Sequence, residues 1–376
     1  MKRAALVRRP GLVSATLRHM SVPIELPFET LSWQGGLEGH VRMIEQTLLP
    51  LQEKQIEVRT VPEMVDAIWR LAVRGAPAIG VAAGFGMVLG VREAAEGDDV
   101  LEVARETKRV LDASRPTAVN LMWATERVIR HLESLQGDGS DLKAACLSEA
   151  LAIYEGDRAT CRAMGELGAE LISDGERLLT HCNAGALATA GMGTALAPMY
   201  TAHARGKRIA VYADETRPLL QGARITAWEL QKAGIDVTLL TDGMAARVMD
   251  EGKIDRVFVG SDRITRNGDV CNKIGTFQVA LAAHHFGVPF HVVAPLSTVD
   301  PSLLSGRDIP IEERPAEEIT EGFGRRTAPP GVKVYAPAFD VTPASLVTSI
   351  ITEVGVIERP DTEKVEDALR RGGVSF

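Results

Sequence analysis

From Gly175 onward the chain alternates short apolar runs with helical segments, and this alternation limits the possible folds more than any other feature. The runs are "RLLTHC", "RIAVYAD", "DVTLLTD", "RVFVGSD" and "PFHVVAP". Between them lie stretches such as "RPLLQGARITAWELQKAG" and "GTFQVALAAHHFG". Strands separated by helices predict a parallel sheet with helices on both faces. In such a sheet the ligand site lies beyond the carboxyl ends of the strands. Here those ends carry Cys182, Asp214, Asp242, Asp262 and Pro295.

From about Leu37 to Glu155 the pattern is mostly helical. "VPEMVDAIWRLAV" has helical apolar spacing, with Pro62 near its start. "RGAPAIGVAAGFGMVLGVREAAE" is rich in Gly and Ala, and Gly80 and Gly84 would admit a close neighbouring backbone. "VLEVARETKRVLDAS" and "AVNLMWATERVIRHLESL" read as helices flanking a break at Pro116. A long helical stretch then starts at Leu142. The expected class is α/β. A mainly helical N-terminal domain spans 1–150, and a Rossmann-like parallel-sheet domain spans 151–376 with a bridging helix at its start. Residues 1–25 read as a loose extension, because Arg8, Arg9, Pro10 and Arg18 interrupt any signal-peptide core.

The net charge of −8 excludes a chain built for non-specific binding to nucleic acid or anionic membrane. No apolar run is long enough for a membrane span. The four cysteines, Cys146, Cys161, Cys182 and Cys271, show no CxxC spacing. They point to a reducing, cytoplasmic setting and speak against a structural zinc site.

Five segments carry candidate chemistry. In "DETRPLLQGARIT", Asp214 or Thr216 fits a helix cap and Pro218 the first helical turn. Arg217, Gln221 and Arg224 offer an anion or sugar site as the alternative, with capping favoured by the pattern alone. "VFVGSDRITRNGDVCNKIGT" offers Asp262, a turn at Asn267-Gly268, then Asn272 and Lys273 before a helix N-terminus, which favours anions. "RGAPAIG" and "SRPTAVN" each hold one Arg, Arg74 and Arg115, whose planar forks suit phosphate. In "THCNAGALATAGMG", Cys182 fits packing or a reactive thiol near a helix start. It is a poor metal chelate with His181, because strand neighbours point to opposite faces. "GMGTAL" ends on Leu196 and lies well after its strand, while "GFGMVLG" has no strand before it. A nicotinamide cofactor is therefore not expected.

In order along the chain, "RGAPAIG", "SRPTAVNLMW", "THCNAGALATAGMGTAL", "DETRPLLQGARIT", "GSDRITRNGDVCNKIGT", "IPIEER" and "PAFDVTP" resemble the methylthioribose-1-phosphate isomerase family of methionine salvage. The resemblance runs from roughly Trp33 to Val356. That family is related to ribose-1,5-bisphosphate isomerases and to regulatory subunits of the translation-initiation exchange factor. The resemblance implies a helical domain joined to a Rossmann-like domain, a homodimer, a phosphorylated sugar as substrate, and no metal or cofactor. By motif, it implies Cys182 and Asp262 as catalytic groups. It also implies Arg74, Gly75, Ala76, Arg115, Gln221, Asn272 and Lys273 as substrate contacts. The chain departs from the family pattern at Glu45, Ser261, Thr265 and Cys271.

An aldose with phosphate on C1 cannot open to a free aldehyde without losing that phosphate. The resemblance therefore implies assisted ring opening, with a carboxylic acid donating to the ring oxygen, a role for Asp262. Two routes follow. A base removes the C2 proton to give an enediol, or hydride passes directly from C2 to C1. Alternative readings are an isomerase of 5-deoxyribose 1-phosphate or ribose 1,5-bisphosphate, and a non-catalytic regulatory subunit, which would not need Cys182 and Asp262 together.

Overall fold

The computed structural model describes residues 24–115, 118–137 and 139–374. Most of the basic N-terminal extension, and the break at Pro116, lie outside the described residues. Ile24 and Leu26, at the end of that extension, pack against the C-terminal core.

The N-terminal part opens with a small sheet that the helical reading did not foresee. Strands β1 (Leu31–Gln34), β2 (His40–Ile44) and β3 (Gln55–Val58) pair antiparallel. In β2, Val41 and Met43 are buried while Arg42 between them is exposed, the period of two expected of a half-buried strand. So short a pattern is easily lost beside long helical ones.

Helix α1 (Val61–Trp69) starts with a capping box in which Thr60 and Glu63 satisfy each other's backbone, and Pro62 sits in the first turn. Helix α2 (Ala76–Val91) is buried from Ala78 to Val91 on every face, as its uniformly apolar sequence requires. Around it lie α3 (Val100–Ser114), α4 (Val119–Ser134) and α5 (Leu142–Ala169). A Cβ at Gly80 would lie 3.0 Å from the Asn120 carbonyl oxygen of α4, so the backbones do meet closely there. Gly84 instead faces the Ile153 side chain, at 3.4 Å from such a Cβ. α5 serves both halves of the chain. Cys146, Ala150 and Ile153 belong to the N-terminal core, and Cys161, Met164 and Ala169 to a core shared with the sheet.

The C-terminal part follows in the order β4 (Arg177–Thr180), α6 (Ala197–Ala204), β5 (Ala210–Asp214), α7 (Ala227–Lys232), β6 (Asp236–Leu240), α8 (Ala245–Asp250), β7 (Arg256–Val259), β8 (Arg263–Thr265), β9 (Val270–Lys273), α9 (Thr276–Phe286) and β10 (Phe290–Val293). The main sheet has seven strands, ordered Gly355–Glu358, Ser349–Thr352, β10, β7, β4, β5, β6. All neighbours are parallel except the edge strand Gly355–Glu358. The chain begins at β4, moves outward through β5 and β6, and returns to β7 on the other side of β4. This reversal opens a crevice at the carboxyl ends of β4 and β7, which are the ends that carry Cys182 and Asp262.

Beyond β7, the stretch around the expected Asn267-Gly268 turn is a hairpin. β8 and β9 pair antiparallel through the Asn267-Gly268 turn, and the strand Phe339–Thr342 joins β9. That partner lies far along the chain, so local sequence gives no sign of it. Among the described residues no helix is long and apolar enough to cross a membrane. All four cysteines are buried and free of disulfides.

The helix contacts predict opposite outcomes for two glycines. A Cβ at Gly168 of α5 would lie 2.3 Å from the rigid Pro198 ring of α6. Gly168→Ala is expected to cost about 1–3 kcal/mol through overpacking, seen as a lower urea midpoint at unchanged slope. Gly84→Ala is expected to be neutral or to stabilise by up to about 1 kcal/mol, because helix propensity then outweighs an ordinary contact.

Candidate active site

β4 ends at Thr180, and two residues later Cys182 takes a left-handed backbone conformation with φ of 64°. Such a φ is uncommon outside glycine and persists where the surroundings enforce it. Two threonines from the segment after β5 do so. The Cys182 N–H donates to Thr216 Oγ1 at 2.8 Å, and Thr226 Oγ1 donates to the Cys182 carbonyl at 2.6 Å. Thr216 is itself left-handed and is held by its N–H donating to Asp242 Oδ1 at 2.7 Å. The segment therefore differs from the expected helix start. Asp214 and Thr216 cap nothing, and Pro218 follows a cis peptide ahead of the helix. Helical structure begins with a π-helical turn over Gly222–Thr226 that leads into α7.

His181 lies beneath Cys182, fully buried. Its Nε2 donates to the Ile274 carbonyl at 2.9 Å, and its Nδ1 meets Asp214 Oδ2 at 3.0 Å. Burial opposes the imidazolium, but Asp214 and the Ile274 carbonyl outweigh it and raise the His181 pKa. Burial instead raises the Asp214 carboxyl, against the pull of His181. His181, Asp214 and Asp242 bring three metal-ligand atoms close together. Hydrogen bonds already engage both imidazole nitrogens and both Asp242 oxygens.

The Cys182 thiol is 8% exposed, and burial pushes its pKa up; Arg74 and Lys273 pull it back down, and Asp262 adds to the rise. The helix start after it is only the short turn Ala186–Ala188, and the expected lowering by a helix terminus does not prevail. Asp262 is open to solvent yet surrounded by protein, as a group on the floor of a cleft is. Desolvation raises its carboxyl pKa against the pull of Lys273, Arg74 and Arg115, and Glu312 adds to the rise. Burial lowers the Arg115 pKa, with Glu312 and Asp262 opposing. The structure therefore gathers Cys182, Asp262, Arg74, Arg115 and Lys273 into one electrostatic cluster.

The remaining predicted contacts border it. Gly75 has φ of 89° and faces Ala188 of the Cys182 loop, whose Cα would be 2.6 Å from a Cβ there. Ala76 then begins α2, whose N-terminus has no side-chain cap. Gln221, which lies in sequence between the two threonines that hold Cys182, is buried, and its Oε1 has no partner. Asn272 on β9 donates to Thr276 Oγ1 at 3.0 Å. Lys273 donates to the Ala338 carbonyl at 3.0 Å and lies 4.5 Å from the centre of the Phe339 ring. The N-terminus of α9 is already filled, since Asp340 accepts from the N–H groups of Gly275 and Phe277 at 2.7 and 3.1 Å. It is not the free anion site the sequence suggested.

Several groups at the site went unrecognised in the sequence. Asn183 accepts from Arg74 Nη1 at 2.6 Å, and only its place beside Cys182 hinted at this. Glu312 stands near Arg115 and Asp262, inside the quoted "IPIEER". Glu229, inside α7, and Asp340 carried no local signal.

The chain is similar to proteins of three descriptions. A 5-deoxyribose 1-phosphate isomerase of Moorella thermoacetica is 54% identical over 346 residues, covering 91% of this chain and 98% of the relative. A methylthioribose-1-phosphate isomerase of Thermotoga neapolitana is 51% identical over 347 residues, covering 92% and 99%. The crystal structure of 5-methylthioribose 1-phosphate isomerase from Pyrococcus horikoshii matches with a TM-score of 0.86 at 41% identity, covering 92% of this chain and 97% of that one. The crystal structure of translation initiation factor eIF-2B, subunit delta, from A. fulgidus matches with a TM-score of 0.83 at 45% identity, covering 92% and 100%. The family model described as the Initiation factor 2 subunit family matches residues 72–359, most of the chain and both halves of the site, and the chain belongs to that family.

Proposed function

We propose that this protein is an aldose–ketose isomerase that converts 5-methylthioribose 1-phosphate to 5-methylthioribulose 1-phosphate in methionine salvage. The carrying observation is that Cys182 and Asp262, at the ends of adjacent strands, lie in the field of the same two cations, Arg74 and Lys273. A regulatory subunit would need neither the pair nor its cations. Arg74, Arg115 and Lys273 hold the phosphate, with the N–H groups of Gly75 and Ala76 at the start of α2. Gln221 and Asn272 meet the sugar hydroxyls. Unpaired cysteines suit a cytoplasmic enzyme, and the resemblance supports a homodimer.

Asp262, whose carboxyl pKa desolvation raises, gives its proton to the ring oxygen while the bond from C1 to that oxygen breaks. Hydride then passes from C2 to C1, and the proton on the C2 hydroxyl returns to Asp262. The product has a ketone at C2, a methylene carrying phosphate at C1, and one proton on the former ring oxygen, so atoms and electrons balance. Burial favours Cys182 as a thiol, which supports hydride transfer over removal of the C2 proton by a thiolate. Substrate carrying deuterium at C2 is expected to give ketose labelled at C1. Loss of the label to water would contradict the hydride route and make Cys182 a base.

Cys182→Ser and Asp262→Asn are each expected to lower kcat by about 100-fold or more while the protein stays folded, measured as ketose formation. Full activity in either removes that residue from the mechanism. The alkaline limb of the kcat/KM profile reports loss of the Asp262 proton. A raised carboxyl pKa therefore keeps the enzyme active to higher pH. Lys273→Met removes the largest opposing charge and is expected to move that limb higher still. An unmoved limb assigns it to another group.

The Moorella thermoacetica relative favours a second reading, 5-deoxyribose 1-phosphate as substrate. Compared on both sugars, kcat/KM is expected to be about tenfold or more higher for the methylthio compound, the gain from burying a small apolar group. A reversed ratio would favour the deoxy sugar.

A further inference from the structure

Glu229 of α7 takes no part in this scheme, yet its fully buried carboxylate is met only by hydrogen-bond donors. These are the Asn183 side-chain amide, the Ala186 N–H at 2.7 Å, the Leu187 N–H and the Tyr200 hydroxyl at 2.9 Å. A Cβ at Gly185 would lie 2.1 Å from Glu229 Oε1, so glycine there is what lets the carboxylate come so near the Cys182 loop. Burial pushes the Glu229 carboxyl up to about 7 against the pull of Asn183 and Tyr200.

Asn183 links this carboxylate to the site. Its Nδ2 donates to Glu229 and to Thr226 Oγ1 at 3.1 Å, which turns Oδ1 the other way. Oδ1 accepts from Arg74 Nη1 at 2.6 Å, and the Asn183 carbonyl accepts from Nη2 at 3.3 Å. Two acceptors thus fix the plane of the guanidinium. A glutamine at 229 could instead offer its own amide hydrogens to Asn183. The Asn183 amide would then turn over and present donors to a cation.

We propose that Glu229 is a positioning residue for substrate phosphate, acting through the amide of Asn183 on the direction of Arg74. This rests on the assignment of Arg74 to the phosphate. It predicts a link between a helix on one side of the loop and the anion site on the other.

The test is a double-mutant cycle in KM for 5-methylthioribose 1-phosphate, with Glu229→Gln, Arg74→Ala and the double variant. Glu229→Gln is expected to raise KM by about tenfold with a smaller change in kcat, as lost ground-state binding does. The double variant is expected to bind no worse than Arg74→Ala alone, because both changes break one chain of contacts. Tyr200→Phe removes a different donor to the same carboxylate. It is expected to lower Tm and leave KM within about twofold of the parent, since additive, distant effects stay small.

Additive rises in KM, or a Tyr200→Phe rise equal to that of Glu229→Gln, would overturn the Glu229 link while the site reading stands. An unchanged KM in Arg74→Ala would overturn the phosphate assignment and the link with it. Should Glu229→Gln fail to fold, Glu229→Asp, which draws the carboxylate back from Asn183, carries the same cycle with the same outcomes.

Discussion

The hydrogen bonds from Thr216 and Thr226 to the backbone of Cys182 hold the centre of this structure together. They fix a left-handed residue where β4 ends and fasten the segment after β5 across it. Asp242, beyond β6, anchors the same segment through the N–H groups of Thr216 and Arg217. Three consecutive strand ends thus determine where one thiol sits. β7 then returns beside β4 and brings Asp262 to the same crevice. The N-terminal half closes it with Arg74, which reaches Asn183 next to the thiol.

Electrostatics at the crevice balance two opposing effects. Burial disfavours charge on Cys182 and Asp262, and the nearby cations favour it. Burial prevails, raising both pKa values and so favouring the protonated acid and the thiol. The cations thereby remain available for a phosphate, whose charge they are placed to meet. A carboxylic acid that protonates a ring oxygen needs this balance, because a fully paired carboxylate would hold no proton to give.

Much of the C-terminal half was legible because its strands are apolar and well separated. The position of Cys182 and Asp262 at strand ends follows from the same pattern, while the adjacency of those strands emerges only in the sheet order. α3 was legible to its ends, since Asp99 caps it and its apolar spacing is regular. What stayed hidden depended on partners far along the chain. β9 acquires strand character from Phe339–Thr342, and Asp340 on that strand fills the N-terminus of α9. Glu229 reads as an ordinary helical glutamate, and only the fold surrounds it with donors. The orientation of His181 was argued from strand alternation, but the strand stops before Cys182, and the Asp214 pair decides it.

The central claim is that one sugar phosphate lies across the ends of β4 and β7, between Cys182 and Asp262. A crystal structure with 5-methylthioribulose 1-phosphate bound tests it most directly. The account predicts the phosphate against Arg74, Arg115 and Lys273, with Cys182 Sγ and an Asp262 oxygen each within about 3.5 Å of the reacting end of the sugar. A ligand held elsewhere, or one reached by only one of those two side chains, would contradict it.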